Sequence, residues 1–312
     1  MIEVWTMGEL LVEIMRPRAG MSLRDRGEFQ GPFPSGATGI FIDTVARLGH
    51  SAAVISGVGE DDFGSCLLER FRRDGVNTDF IEVIANKPTG VAFVTYFEDG
   101  SRKFIFHWDG TPAVMAGIPA VDKISGTDPK VFHVMGCSLM ANDDFRERVF
   151  QTVELFAKAG AWITFDPNVR FELLGERTVE QIIGPILRHC SILFPGETEL
   201  LLLSGRKDVP SAVAAMFDRN PLETIVLKQG SRGCTVYTPD SKQQIPPFKV
   251  TEVDPTGAGD CFDAGFVCGR IEGRGLAESA RLAAAVGALN AQAFGPMEGK
   301  ISVQSVAELM KG

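Results

Sequence analysis

Short apolar runs and amphipathic stretches alternate along most of this chain. The apolar runs predict buried strands at 2–7, 52–56, 131–135, 162–165, 191–194 and 224–227. Apolar residues at helical spacing predict helices at 36–48, 143–158 and 179–188, and the final third has a helical pattern. Strands that alternate with helices in this way are typical of an α/β fold, in which helices flank both faces of a mostly parallel sheet.

Two segments interrupt this alternation. Residues 16–34 are rich in Pro, Gly and Arg, and the runs 91–97 and 102–108 flank Glu98-Asp99-Gly100-Ser101, whose Asp-Gly pair is a hairpin signal. We expect one small β lid, drawn from about 15–35 and 88–112, above the carboxyl ends of the sheet strands, where α/β folds bind ligands. The sequence thus predicts a single α/β domain over 1–312 with a discontinuous lid.

Charge and composition argue against several classes of binding partner. The 312 residues include 40 acidic and 31 basic side chains, a formal charge of −9, so we expect neither a nucleic acid nor an anionic membrane as partner. No run approaches the ~18 consecutive apolar residues of a membrane span, and the first residues lack a basic leader, which predicts a cytoplasmic location. Six cysteines without Cys-x-x-Cys spacing predict reduced thiols.

Residues 254–266, DPTGAGDCFDAGF, carry the sharpest chemical pattern. Gly257, Ala258 and Gly259 remove side-chain bulk where a helix is predicted to begin, so backbone N–H groups there are free to hold an anion. Asp260 would lie in the first helical turn, where a carboxylate can deprotonate an attacking hydroxyl. The alternative is a glycine-rich turn with an acidic residue that complements the helix dipole. Neither a Rossmann fingerprint nor a P-loop occurs in the sequence.

The same segment resembles the C-terminal signature of the ribokinase-like (PfkB) carbohydrate kinases. Further motifs in family order are SGATG at 35–39, ARLG at 46–49, GVGEDDFG at 57–64, DPNVR at 166–170, ETE at 197–199 and KQGSRG at 228–233. The resemblance covers essentially the whole chain. It implies a ribokinase-like three-layer fold and an ATP- and Mg²⁺-dependent transferase, a kinase that phosphorylates an alcohol group of a small sugar.

The resemblance also implies roles for the nucleotide side of the site. It makes Asp260 the catalytic base and the backbone of Gly257, Ala258 and Gly259 the anion hole. It assigns ATP binding to Lys228, Gly230, Gly233 and Asn168, and the organisation of Mg²⁺, through water, to Glu199. Asp254 and Thr256 fall where many members bind a monovalent cation such as K⁺; a capping or turn role is the alternative.

The sugar side departs from the family pattern. The expected sugar contacts are Gly36, Ala37, Glu13, Phe93, Phe106, Trp108 and Arg170. Ile40 stands where members usually carry a sugar-binding Asn, Gly196 where an Asn often precedes the Mg²⁺ position, and Glu13 where Asp is common. Asp43 could compensate for Ile40, but an exposed position on the helix is the preferred interpretation.

The motifs indicate the sugar substrate less directly than they indicate the reaction. Asp166-x-Asn168-x-Arg170 resembles the subset that acts on fructose-like ketoses and on 2-keto-3-deoxygluconate. A keto-acid kinase usually has a second Arg in the lid, and here Trp108 and Asp109 occupy that region, which favours a neutral ketohexose of the tagatose or fructose type. The alternatives are a 2-keto-3-deoxygluconate kinase, a nucleoside kinase and a non-catalytic sugar-binding sensor. Lid ribbons of this family often pair, which suggests a homodimer through the lid.

Overall fold

A computed structural model describes residues 1–99, 101–174 and 177–311. The strands β1 to β13 are, in order, Val4–Met7, Leu11–Met15, Gln30–Ser35, Ala52–Gly59, Ile81–Ile84, Gly90–Tyr96, Arg102–His107, Val131–Met135, Trp162–Asp166, Cys190–Leu193, Thr224–Lys228, Cys234–Tyr237 and Lys242–Ile245. The helices α1 to α11 are Ala37–Arg47, Asp62–Asp74, Val121–Ser125, Asp143–Lys158, Phe171–Leu174, Val179–Leu187, Glu197–Ser204, Val209–Arg219, Ala258–Ile271, Leu276–Asn290 and Val303–Lys311.

A nine-stranded sheet forms the centre of the molecule. Its strand order is β13-β12-β11-β10-β9-β8-β1-β4-β5. The pairs from β11 to β5 are all parallel, whereas β12 and β13 add an antiparallel edge. The sequence therefore predicted the mostly parallel α/β sheet correctly, because its strands are buried apolar runs separated by helices.

Two hydrophobic cores lie on opposite faces of this sheet. One core packs α1, α9 and α10 against the sheet through residues such as Phe41 and Phe266. The other packs α4, α6 and α8 through residues such as Phe156 and Ile182. Three layers result, helices on each side of one sheet, as the resemblance implied.

A second, four-stranded sheet, called the lid sheet below, has the order β3-β2-β6-β7. β2 pairs antiparallel with β3 and parallel with β6, and β6 pairs antiparallel with β7. Both segments expected in a lid, 15–35 and 88–112, contribute strands to it. The sequence did not predict β2, Leu11–Met15, which follows β1 after only three residues.

The predicted elements agree with the structure to different degrees. β8 and α4 have the predicted bounds, and α1 ends at Arg47 with Gly49 at φ 90°, as a glycine after a helix should. The expectation of a largely helical final third was incomplete, because the short strands β12 and β13 lie there. The predicted turn at Glu98-Asp99-Gly100-Ser101 includes residue 100, which lies outside the described residues.

None of the helices in the described ranges is long and apolar enough to cross a bilayer. The six cysteines are free thiols; Cys66 is half-buried and the rest are buried.

Candidate active site

One cavity lies at the carboxyl ends of the parallel strands, beneath the lid sheet. Glu9 follows β1, Asp166 ends β9, Glu199 lies in the first turn after β10, and Lys228 ends β11; all four line the cavity. Parallel strands end at the same edge of a sheet, which brings together residues from distant parts of the sequence.

The N-terminus of α9 forms one wall of the cavity. Gly257 adopts a left-handed backbone, φ 75°, and the helix begins at Ala258. The N–H of Ala258 donates to the carbonyl of Pro255 at 3.2 Å. Within the described residues no acceptor is found for the N–H groups of Gly259 and Asp260, which are the ones a helix start leaves without an intrahelical partner.

This arrangement refines the expected anion hole. Gly257, Gly259 and Asp260 line the cavity, whereas Ala258 does not. Gly257, Gly259 and Asp260 are therefore the residues of this turn that could hold an anion in the cavity. Ala258 had been expected there, but the turn that starts the helix directs its N–H to Pro255 instead.

Asp260 is buried at the side of this site. Its Oδ1 accepts a hydrogen bond from the side-chain amide of Asn168 at 3.1 Å. Burial, and then the negative charge of Asp166, raise the pKa of Asp260 to about 7. A carboxylate whose pKa lies close to neutral pH suits a general base.

Asn168 had been expected to bind ATP, and its main contact is Asp260. Its backbone is left-handed, φ 38°, a conformation that Asn tolerates better than most residues. Its own N–H donates to Oδ1 of Asp166 at 3.1 Å. Asn168 also lines the cavity, so it lies between the sheet and the base.

Lys228 had been expected to hold the ATP phosphates, and it is engaged in ion pairs. Its Nζ is 2.7 Å from Oδ2 of Asp166 and 3.2 Å from Oδ2 of Asp263. Burial disfavours its charge, but the two carboxylates raise the pKa of Lys228 above its ordinary value. The ammonium lies close to Gly259, where a Cβ would be 3.7 Å from Nζ. Lys228 therefore lies behind the start of α9, with its ammonium paired to two carboxylates.

Gly230 and Gly233, the other two expected ATP contacts, lie in the turn between β11 and β12 and do not line the cavity that the described residues enclose. Gly233 has a packing reason to be glycine, because a Cβ there would be 2.1 Å from the carbonyl oxygen of Ile245. Their role in ATP binding remains a prediction.

Glu199 lines the cavity from the first turn of α7. Its Oε1 accepts from the N–H of Val169 at 2.9 Å, and its Oε2 accepts from the N–H of Gly196 at 2.8 Å. Burial and the charge of Asp166 raise its pKa. These two bonds fix the carboxylate in place and join α7 to the DPNVR turn.

This geometry fits an indirect role in Mg²⁺ binding. Each oxygen of Glu199 accepts one N–H and keeps a lone pair for water. In the described part of the chain, no group of three His, Cys, Asp or Glu side chains could hold a metal by itself. Mg²⁺ retains several waters and is commonly bound by one or two carboxylates together with substrate phosphates. The residues present therefore suit an ion that arrives with the nucleotide.

Two buried glutamates, Glu9 and Glu13, line the cavity. Glu9 was not singled out from the sequence; its Oε1 accepts from the N–H of Ala37 at 3.1 Å, and its Oε2 accepts from the hydroxyl of Ser138. Burial raises the pKa of Glu9. Gly36 must be glycine, since a Cβ there would be 2.5 Å from the carbonyl oxygen of Glu9. Gly36 and Ala37 line the cavity as expected.

Glu13, on β2, is the second buried glutamate. Its Oε1 accepts from the hydroxyl of Ser35 at 2.7 Å, whereas its buried Oε2 has no hydrogen-bond partner among the described residues. Burial raises the pKa of Glu13 to about 7. An unpartnered carboxylate oxygen that lines a cavity is a ready acceptor for a ligand hydroxyl.

Ile40 lines the cavity as an apolar wall, in agreement with the departure noted from the sequence. The preferred interpretation of Asp43 as exposed was wrong. Asp43 is fully buried and its Oδ2 lies 3.4 Å from Nη2 of Arg70. Because Asp43 is held in this ion pair outside the cavity, it does not replace the missing Asn.

The lid sheet presents one aromatic face to the cavity. Phe104, Phe106 and Trp108 form a stacked row, with ring centroids 5.3 and 5.4 Å apart. Phe93 lies on the opposite face, where it pairs with Ile105 and contacts the ring of His107. The expectation for Phe93 therefore does not match its position, because side chains alternate between the two faces of a strand.

Arg170 and Arg102 bring two guanidinium groups to the cavity, and Arg102 was missed from the sequence. Both lie near the ring of Phe104, at 5.8 and 5.3 Å from its centroid. Among the described residues neither makes an ion pair with a carboxylate. Strand alternation could have found Arg102, since it shares its face with Phe104, Phe106 and Trp108.

Asp254 and Thr256, the expected monovalent cation ligands, are closely packed. Oδ1 of Asp254 accepts from the N–H and the hydroxyl of Thr256, at 2.9 and 2.6 Å, and its Oδ2 accepts from the N–H of Gly295 at 2.9 Å. These bonds match the alternative interpretation, a turn held by its own side chains. The role of Asp254 and Thr256 in binding a monovalent cation remains a prediction.

Comparisons with known proteins agree with this geometry. The model of the "pfkB family carbohydrate kinase" matches residues 34–302. Fructokinase-1 of Oryza sativa subsp. japonica is 30% identical over 99% of this chain and 97% of its own length. An E. coli protein provisionally designated Ribokinase II, crystallised with ATP and Mg²⁺, is 34% identical and superimposes with a TM-score of 0.92 over 100% of this chain and 99% of its own.

A fructokinase of Vibrio cholerae O395, crystallised as a double mutant with fructose, ADP and a potassium ion, is similar in fold. It is 22% identical, with a TM-score of 0.83 over 99% of this chain and 98% of its own. The family match spans well over half of the sequence and includes the α9 segment and both buried wall residues Gly36 and Ala37. The chain therefore belongs to the pfkB family of carbohydrate kinases.

Proposed function

We propose that this carbohydrate kinase transfers the γ-phosphoryl group of ATP to a primary hydroxyl of a small neutral ketohexose of the fructose or tagatose type. The observation that carries the proposal is the position of Asp260, buried beside the free N–H groups of α9 in a cavity under the lid sheet. The fructokinases that align with the whole chain support a ketohexose as acceptor.

Asp260 acts as the base in this mechanism. It takes the proton of the sugar hydroxyl as the hydroxyl oxygen bonds to the γ-phosphorus, and the bond from that phosphorus to the bridging oxygen breaks to release ADP. Asn168 orients the carboxylate through its amide. Glu199 would order the water around a Mg²⁺ ion bound with the nucleotide, and such an ion would neutralise phosphate charge.

The N-terminus of α9 stabilises the charge that develops on the transferred group. The N–H groups of Gly259 and Asp260 point at the site, and Lys228 adds positive charge behind them. Preformed donors of this kind lower the barrier because they need no reorganisation during the reaction. The lid sheet covers the cavity and excludes water, which would otherwise compete with the sugar as acceptor.

The sugar is held between the acidic and the aromatic wall. Glu13 Oε2 accepts from a sugar hydroxyl, and Phe106 and Trp108 pack against an apolar face of the ring. Ile40 supplies apolar contact where other members use an amide. Hydrogen bonds lost at Ile40 are replaced by Glu13, whose longer side chain reaches further than Asp.

A sugar acid is the second candidate substrate. Arg102 and Arg170 line the cavity without a carboxylate partner among the described residues, and a pair of guanidinium groups suits a carboxylate of the acceptor. Arg102 thus provides an arginine in the lid sheet, although Trp108 and Asp109 occupy the region where a keto-acid kinase usually has one. If Arg170 instead contacts the γ-phosphate, only Arg102 remains for the acceptor, and the neutral ketohexose is favoured.

A substrate panel tests the proposal. Purified protein is incubated with ATP, Mg²⁺ and, in turn, fructose, tagatose, ribose, 2-keto-3-deoxygluconate or adenosine, and ADP and the phosphorylated product are measured. We expect the highest kcat/KM with a ketohexose. The highest value with the keto acid, together with its selective loss in Arg102→Gln, supports the second candidate. Phosphorylation of adenosine alone, or of no acceptor, contradicts both.

The cytoplasmic location and the homodimer remain predictions. For the dimer, the outer face of the lid sheet is suitable, because Phe29 and Ile105 are each 40% exposed there.

A further inference from the structure

The carboxylate of Asp254 accepts hydrogen bonds from three separate parts of the chain. Besides Thr256 and Gly295, the hydroxyl of Tyr96 donates to Oδ1 at 2.9 Å. Tyr96 ends strand β6 of the lid sheet and also contacts the hydroxyl of Thr256. Asp254 itself is 2% exposed.

A second donor, the amide of Asn290, occupies the other side of the same loop. Its Nδ2 donates to the carbonyl of Thr256 at 2.8 Å and to the carbonyl of Pro296 at 3.1 Å. Asn290 is completely buried at the end of α10. The opposite orientation of the amide would bring its oxygen against two carbonyl oxygens, so these contacts fix which end faces them.

These donors conflict with a bound cation. A monovalent cation needs several oxygens with free lone pairs directed at one point. Oδ1 of Asp254 already accepts from the hydroxyls of Tyr96 and Thr256, and its Oδ2 accepts from the N–H of Gly295. The carbonyl of Thr256 accepts from the amide of Asn290, so donors of the protein itself engage the oxygens that an ion would use. The Tyr96 hydroxyl and the Asn290 amide thus supply hydrogen-bond donors where an ion would supply positive charge.

The same contacts fix the anion site. Gly257 follows Thr256, and a Cβ on Gly257 would lie 2.3 Å from the carbonyl oxygen of Pro296 and 3.2 Å from Nδ2 of Asn290. The left-handed turn at Gly257 is therefore held against the carbonyl that Asn290 binds. That turn sets the direction of the N–H groups at the start of α9.

We propose that the Tyr96 hydroxyl and the Asn290 amide replace a monovalent cation as positioning groups for the anion site, so that phosphoryl transfer is independent of K⁺. Tyr96 additionally joins the lid sheet to the loop before α9. The proposal rests on the proposed kinase function, and it concerns the positions of Tyr96 and Asn290 rather than the identity of the sugar.

The first test compares salts at matched ionic strength. ADP formation is measured directly, without coupling enzymes, in KCl, NaCl and tetramethylammonium chloride, and the melting temperature is recorded in the same salts. We expect kcat and the melting temperature to be the same in all three. A several-fold higher kcat, or a higher melting temperature, in KCl overturns the proposal.

The second test uses variants. We expect Tyr96→Phe and Asn290→Ala to lower kcat by about tenfold, the value of one hydrogen bond to a charged or buried group, with little change in KM for ATP. In Asn290→Ala the freed carbonyls should admit an ion, so K⁺ should restore kcat. Tyr237→Phe, at the far sheet edge, is the matched control. If both variants match this control, the proposal is wrong.

A structural readout keeps the test independent of activity. A crystal soaked in rubidium chloride should show no anomalous peak beside Asp254 in the unmodified protein and a peak there in Asn290→Ala. A peak in the unmodified protein contradicts the proposal even if no sugar in the panel is phosphorylated. Failure of the panel alone refutes the proposed function and leaves the cation result to be judged by diffraction.

Discussion

The amide of Asn168 donates to Oδ1 of Asp260 across 3.1 Å and so joins the turn after β9 to the first turn of α9. The bond favours the charged form of the carboxylate, in opposition to burial, which raises the pKa of Asp260 to about 7. On the proposed mechanism, Asn168 should therefore increase the fraction of Asp260 that is deprotonated at neutral pH.

The pH dependence of kcat/KM tests this relationship. Because the base must be deprotonated, kcat/KM should rise with pH through about 7 and level off above it. Asn168→Ala removes a donor to the charged form, so the midpoint should move to higher pH by about one unit. Asn220→Ala, remote from the cavity, serves as control. An unchanged midpoint in Asn168→Ala would show that the amide does not tune the base.

Glu13 should decide sugar affinity. Its Oε2 has no hydrogen-bond partner among the described residues, so Glu13→Gln should remove a charged contact with the sugar and raise the sugar KM about tenfold. The KM for ATP should not change. Initial-rate kinetics with both substrates varied provide the measurement, and Glu82→Gln, exposed on β5, is the control. A rise in the KM for ATP instead of the sugar KM would place Glu13 on the wrong side of the cavity.

Glu199 should decide the Mg²⁺ requirement. Groups that hold a metal through an outer shell typically contribute 10- to 100-fold to its affinity, so Glu199→Gln should raise the half-saturating Mg²⁺ concentration about tenfold. Glu197→Gln alters the same helical turn but an exposed side chain, and it should have no effect. Mg²⁺ titrations that coincide for the two variants would show that Glu199 does not contribute to Mg²⁺ binding.

Lys228 should matter for stability. Lys228→Met leaves the buried carboxylate of Asp166 without its counter-charge, which should lower the free energy of unfolding by about 3–5 kcal/mol. Lys158→Met, which breaks an exposed pair with Glu154, should change it by less than about 1 kcal/mol. Urea unfolding monitored by circular dichroism measures both.

The pH dependence of that loss has a definite sign. Burial raises the pKa of Asp166, but the charge of Lys228 and the hydrogen bonds with Asp263 and Lys228 together outweigh burial and lower it. The ion pair therefore stabilises the fold above the ordinary pKa of Asp and loses its effect as pH falls through the lowered value. The difference in the free energy of unfolding between Lys228→Met and the unmodified protein should become smaller in acid. A difference that stays constant with pH would mean that the ion pair is not its origin.

The sequence predicted elements whose pattern is local. α4 begins after an Asn cap and carries apolar residues at helical spacing, and β8 is a continuous apolar run, so both were predicted with their observed bounds. β2 was missed because a short strand between a glycine turn and a Pro-rich segment has little pattern of its own. Its place is fixed by pairing with β3 and β6, which are distant in sequence.

The candidate site was predictable where chemistry and motif coincide. Asp260 and the glycines before it follow from one contiguous segment. Other features depend on how separate strands and loops meet, and no local pattern contains that information. They are the ion pairs of Lys228, the hydrogen bonds to Asp254 and the position of Arg102 in the cavity. The burial of Asp43 was missed for the same reason, since its partner Arg70 lies on another helix.

In the proposed mechanism Asp260 accepts the proton of the sugar hydroxyl. Asp260→Asn keeps the hydrogen-bonding shape of the side chain and removes its basicity, so the most direct measurement is the single-turnover rate of sugar phosphorylation by this variant with ATP and sugar saturating. We expect this rate to fall about a thousandfold, with the affinity for ATP nearly unchanged. A rate within tenfold of that of the unmodified protein would contradict it.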